Sequence, residues 1–216
     1  MKKEDLIKRY PRLYHMAEVG SAKSILEHGL LSTSAALDRF KLAGTRRNNL
    51  ESCHRPEKVT LSDKNLGQIV LRDQKPMSDQ RLSIGLTDGL TPRQWYETIN
   101  SKVFFWVRED RLHRLLNARA YRKHEHDVFT FDTESLVNAY EASIWLCHMN
   151  SGNTFPIPHR RGATTFRRIA DYPAKTNGAP LKEVVELVVD YCLPDISKYV
   201  LEIHRMKGKT VIERMR

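Results

Sequence analysis

Apolar positions are spaced differently in the two halves of the chain. The first half carries short, helix-spaced groups, and the second carries compact β-branched and aromatic runs. Residues 4–10 predict a helix stopped by Pro11, and 12–16 a short strand with Leu13 and His15 on one face. Ser21 caps and Gly29 stops a helix over 21–28, whose apolar face is Ile25 and Leu26. Ser34 opens another over 35–43, ended by Gly44. Residues 45–58 are polar and basic and read as a loop, with or without a short helical piece, while 69–72 is an apolar run of either type. Thr91 and Pro92 mark a further helix start.

Residues 102–107 form the clearest strand, β-branched and aromatic. A helix follows from Asp110 through Leu112, Leu115 and Leu116 to Asn117. Strands are predicted at 128–131, 142–147, 184–189 and 199–203, with a helix at 134–140 capped by Asp132 or Thr133. Residues 150–180 are rich in Gly, Pro, Arg and Thr and read as a long loop, a feature that compact domains usually keep for function or motion. The basic tail, 205–216, is expected to fray. Short helices followed by strands, without regular alternation, predict an α+β fold.

A length of 216 residues supports one core, so residues 1–216 are expected to be a single domain. No run reaches the ~18 apolar residues of a membrane span, and no apolar signal core follows the charged N-terminus. A cytoplasmic protein without a membrane partner is expected. Cys53, Cys147 and Cys192 form no close pair, which removes a zinc knuckle or redox pair, and no metal is expected. Lys and Arg number 36 against 26 acidic residues, a net charge of +10 that favours polyanions such as DNA or RNA.

Four features offer chemistry. His15 stands in the first strand, and an aromatic strand carries Phe104 and Phe105. The loop 148–172 holds His148, Asn150, Ser151, Gly152, Asn153, His159, Arg160, Arg161, Arg167 and Arg168. Glu186 interrupts the apolar strand Val184-Val185-Glu186-Leu187-Val188-Val189, where a carboxylate lining a cleft would be poised for electrostatic work. The run His124-Glu125-His126-Asp127 raises a metal-dependent nuclease, but alternating residues in a polar stretch read more simply as surface.

The order of these blocks resembles the DarT group of ADP-ribosyltransferases. Leu13-Tyr14-His15-Met16 and Ser24-Ile25-Leu26-Glu27-His28-Gly29-Leu30 resemble its opening strand and helix. A basic loop with Arg46, Arg47 and Arg55, the strand 102–107, and Glu186 with Pro194 eight positions on follow in the same order. The likeness covers about half the chain. Val184 stands where a Glu-x-Glu pair would begin, which argues against an arginine-modifying protein transferase. Ser32-Thr33-Ser34 is not equated with the Ser-Thr-Ser of cholera-toxin-like enzymes, which lies on a later strand. Over nearly its full length the chain also resembles an uncharacterised bacterial family of unknown function. Arg55-Pro56-Glu57, Asn150-Ser151-Gly152 and Asp171-Tyr172-Pro173 carry that likeness.

The transferase resemblance implies two small packed sheets with short helices and a cleft for NAD, as substrate, between them. It implies that His15, beside Tyr14, holds the adenine-side ribose, and that backbone near Ser32 holds the nicotinamide amide. Phe104 or Phe105 would face the nicotinamide ring and Arg55, or Arg46 or Arg47, would bind the pyrophosphate. Glu186 would stabilise the cationic ribose, and Arg160, Arg161, Arg167 and Arg168 would grip a nucleic-acid acceptor. By family analogy a toxin or phage-defence role, with an antitoxin-type partner, would follow. A non-catalytic nucleic-acid-binding module and an NAD-sensing fold without turnover remain as alternatives.

Overall fold

In the computed structural model, which describes residues 1–216, eight strands form one mixed-length antiparallel sheet. Along the chain lie α1 (Lys3–Arg9), β1 (Arg12–Glu18), α2 (Ala22–His28), β2 (Leu30–Leu31), α3 (Thr33–Arg39), α4 (Gly44–Glu51), β3 (Val59–Asp63), β4 (Gly67–Leu71) and α5 (Asp79–Gly85). Then come α6 (Pro92–Asn100), β5 (Lys102–Trp106), α7 (Glu109–Leu116), β6 (Glu125–Asp132), α8 (Thr133–Tyr140), β7 (Ile144–Cys147), β8 (Phe166–Arg167), β9 (Glu186–Asp190), β10 (Cys192–Leu193), β11 (Val200–Lys207) and β12 (Thr210–Arg214). The large sheet has the order β12-β11-β6-β1-β5-β9-β7-β8; β10 with β2 and β3 with β4 make two small ones. The α+β class is as expected. No helix is long and apolar enough to cross a membrane.

The large sheet is split down its middle. β1 pairs with β6 along its whole length, and β5 pairs with β9 along its whole length. Between β1 and β5 the only registered pair is Tyr14 with Trp106. Two small packed sheets were expected; the structure has instead one eight-stranded sheet whose two four-stranded halves meet at that pair. A shared core holds the halves together: Leu13, Phe129, Phe131 and Ile203 from one meet Val103, Phe105, Ile144 and Leu187 from the other. Phe105 meets Phe131 edge-on, with centroids 5.3 Å apart.

Several boundaries moved. Ser32, not Ser34, caps α3, its hydroxyl accepting from Ala35 N at 3.1 Å. The loop 45–58 does hold a helical piece, α4, because Leu50 packs with Leu61 and Leu71 of the β3–β4 hairpin. The tail does not fray: β12 pairs with β11. The polar run at 125–127 belongs to β6, between β1 and β11. His126 and Asp127 are buried there, and Asp127 accepts from Ala22 N and from the Arg205 guanidinium. That run is a structural clamp rather than the surface stretch expected.

Gly29 ties the two ends of the candidate transferase pattern together. Its φ is +86°, and a Cβ there would lie 2.6 Å from the Leu193 carbonyl oxygen and 2.6 Å from the Pro194 Cα. Gly29→Ala is therefore expected to cost roughly 2–3 kcal/mol, from backbone strain plus overpacking, as read by urea unfolding.

Candidate active site at the sheet seam

Where β1 and β5 part, a cleft of about 350 Å³ opens. Its wall includes His15 on β1, Phe104 and Trp106 on β5, Glu186 on β9, Arg72 after the β3–β4 hairpin, and Ser151. The volume lies within the ~300–1,000 Å³ of small-molecule sites.

Glu186 is the first residue of β9 and is held centrally, opposite Trp106 on β5 and Cys147 on β7. It is only 4% exposed. Both carboxylate oxygens accept from the Ser151 backbone N–H, at 3.2 Å each. Burial pushes its pKa up to about 7, against the opposing pull of Ser151 and the Arg161 guanidinium. A carboxylate so placed is half-ionised near neutral pH, and can carry charge or accept a proton there.

His15 sits on the other side of the seam. Its Nδ1 lies 2.8 Å from the Phe104 carbonyl oxygen, which can only accept, so Nδ1 carries the proton. Although part of its surface faces the cleft, protein surrounds the ring. Burial lowers its pKa to about 4, aided by the charge of Arg72 and opposed by the Phe104 carbonyl. At neutral pH the ring is uncharged and Nε2 is an acceptor, suited to a hydroxyl donor. This imidazole also spans the seam where the backbone ladder is missing.

The other expected ligand contacts divide. Arg55 lines the cleft but is 6% exposed. Its guanidinium donates to the carbonyls of Arg72 and Leu50 at 2.7 and 2.6 Å, and to Thr33 and Asn100 side chains at 3.4 Å. It holds the wall of the cleft and has little left to offer a pyrophosphate. Arg46 does not line the cleft, and Arg47 is bound to Asp38 and Glu51. Arg72 is the better-placed guanidinium. It is half-buried on the cleft wall, donates to the Met16 carbonyl at 3.2 Å, and lies over the Tyr121 ring at 4.8 Å.

Ser32 lines the cleft, but its backbone N–H is donated to Tyr191 O and its carbonyl accepts from Ala36 N. Its main chain is thus already committed. Tyr14 lies outside the wall, packed with Met16, Leu112 and Leu116. Phe105 touches the cleft wall but is 1% exposed and packs into the shared core, so half-buried Phe104 and Trp106 are the rings with surface to offer a ligand. Of these, Trp106 is in register with Glu186.

The four loop arginines do not form one surface. Arg161 is 1% exposed and donates to three carbonyls, of Ser151, Asn153 and His159. It cannot also bind a phosphate backbone. Arg168 stacks on Trp145 at 3.6 Å and pairs with Asp190 at 3.5 Å. Arg160 is exposed, and Arg167 is half-buried in β8. Basic groups do gather around His148: burial lowers its pKa, and Lys182, His159 and Arg167 lower it further. Beside the cleft, Thr154 is anchored to the carbonyl of Pro76, a wall residue, and the next residue, Phe155, is 50% exposed. No group of three or more His, Cys, Asp or Glu side chains is placed to hold a metal ion.

Sequence reasoning gave Arg72, Trp106 and Ser151 no role in the site. Trp106 carried a signal in its place in the aromatic strand, and Ser151 in its place in the loop 148–172. Among families, the one described as "Family of unknown function (DUF7002)" matches residues 11–200. No curated protein matches the chain.

Proposed function

The chain belongs to the family of unknown function DUF7002, and from its cleft we propose that it is an NAD-dependent ADP-ribosyltransferase acting on a nucleic acid or nucleotide. The observation that carries this reading is the buried Glu186 carboxylate, held by two contacts in a cleft walled by an uncharged histidine, an arginine and aromatic rings. A fixed carboxylate in a dry site favours a substrate that becomes cationic as it reacts. Cleavage of the nicotinamide–ribose bond does so: the bonding pair leaves with nicotinamide, and the ribose becomes oxocarbenium-like, as in glycoside hydrolysis.

Ionised Glu186 stabilises that cation across the cleft. The same group, with a pKa near neutral, accepts the proton of the acceptor as its oxygen or nitrogen bonds to the ribose carbon. His15 Nε2 accepts from a ribose hydroxyl, and Trp106 or Phe104 covers the nicotinamide ring. Arg72 takes the pyrophosphate in place of Arg55. For the acceptor, Phe155, 50% exposed with the Arg81 guanidinium over one face of its ring, offers an aromatic contact, and Arg160, Arg167 and Lys182 offer positive charge. A non-catalytic nucleic-acid-binding module would use the same basic groups, but leaves the buried carboxylate without a task.

Calorimetric titration with NAD tests the binding half of the proposal. Arg72→Ala is expected to weaken NAD about 10- to 100-fold, the worth of a charge-assisted hydrogen bond to phosphate. Arg160→Ala is expected to leave NAD binding unchanged and to reduce the salt dependence of nucleic-acid binding. Equal NAD affinity in wild type and Arg72→Ala would remove Arg72 from the site.

A further inference from the structure

Arg161 carries a charge into the interior without an ion pair. It is 1% exposed, and no carboxylate lies within salt-bridge distance. Its donors go to main-chain carbonyls instead: Nη1 to Ser151 at 2.8 Å, Nη2 to Asn153 at 2.7 Å and Nε to His159 at 3.1 Å. Its own backbone is pinned as well, N–H to Gly85 O at 2.8 Å and carbonyl to Thr87 N at 2.9 Å. The guanidinium lies 5.6 Å from the centre of the Trp95 ring. Burying a guanidinium is costly, and a solvated surface loop has no need of one.

The carbonyl that Nη1 holds belongs to the residue whose N–H holds Glu186. Ser151 is gripped at both ends of its main chain, by Arg161 through its oxygen and by Glu186 through its nitrogen. Ser151 is fully buried. Loop 150–153 therefore cannot shift without releasing one charge or the other. We propose that Arg161 is a positioning residue which, by fixing the Ser151 main chain, sets the orientation in which Glu186 faces its substrate. This rests on the transferase reading for its chemistry, but the linkage itself is a property of the folded chain.

Arg161→Lys keeps a charge and loses the planar fork that spans two carbonyls. The expected result is a fall in kcat for nicotinamide release of about tenfold or more, with KM for NAD within about twofold. The charged or titratable groups set against Glu186 are Arg161 and Cys147. Isotope-edited carboxyl NMR is expected to place the Glu186 midpoint in Arg161→Lys close to that of wild type, and higher in Arg161→Gln, which lacks the charge. A kcat for Arg161→Lys within about twofold of wild type would overturn the proposal.

A second measurement needs neither turnover nor a variant. In wild type the Ser151 amide is expected to exchange its hydrogen slowly, and its resonance to follow the titration of Glu186. A Ser151 amide that exchanges like an open loop and ignores that titration overturns the linkage, whether or not the variants fold. Failure of NAD cleavage in wild type, with Ser151 protected, would instead sink the transferase reading alone.

Discussion

Glu186→Gln is expected to abolish nicotinamide release and, at about pH 8, to make the protein harder to unfold. The loss in rate should be about 100-fold or more, because Gln presents no charge to an oxocarbenium-like ribose. The gain in stability follows from the same burial. In the folded chain the pKa is raised from 4.5 to about 7. Stability from this group is fully present below the unfolded value and is lost as pH rises through about 7, where a buried anion must form. A rise from 4.5 to about 7 corresponds to a cost of up to about 3 kcal/mol on the alkaline side. Gln removes that cost and still accepts from the Ser151 N–H. Thermal unfolding of wild type and variant should diverge as pH rises and converge below about pH 4.5. In wild type, the rate should climb with pH through about 7 as Glu186 ionises. Parallel melting curves at every pH would mean that Glu186 is not desolvated in the fold.

The neighbouring phenylalanines of β5 should separate stability from binding. Phe105 is 1% exposed and bridges the two sheet halves through Phe131. Phe105→Ala should cost about 3–5 kcal/mol in urea unfolding, the usual loss for a large core ring. Phe104 is half-buried on the cleft side, so Phe104→Leu should cost less than about 1.5 kcal/mol and act mainly on NAD affinity. The reverse result, with Phe105→Ala mild and Phe104→Leu costly, would mean that Phe105 does not join the two halves and would undo the seam as described. The contrast matters because the halves share no continuous ladder between β1 and β5, so side-chain packing must hold them together.

What could be read from the sequence was local. Glu186 stood out because a carboxylate inside an apolar strand is uncommon, and His15 because it lies in a short strand with apolar neighbours. The α6 start was legible because Thr91 is a capping residue followed by Pro92, and in the fold Gln94 completes the cap. The seam was not legible, since it depends on which residues of β1 and β5 fail to pair, and no local pattern records that. Arg72 ends a hairpin whose strands are short and half exposed, so neither spacing marked it. Ser151 was visible as a member of the loop 148–172, but nothing local showed that its N–H would hold Glu186. Arg161 looked like its neighbours Arg160 and Arg167, and only the fold shows that it alone turns inward. Arg55 deceived in the opposite way, since a basic loop near a cleft suggests a ligand contact while the carbonyls of Leu50 and Arg72 already claim its donors.

The central claim is that Glu186 cleaves NAD in this cleft, and nicotinamide release from NAD by the purified protein tests it most directly. The assay is run alone and with added single-stranded DNA, RNA or free nucleotides, beside Glu186→Gln. Release by wild type that is stimulated by one of these acceptors, and lost in the variant, is the predicted result. Release that persists undiminished in Glu186→Gln, or its absence in wild type under every condition while NAD also fails to bind, would contradict the account.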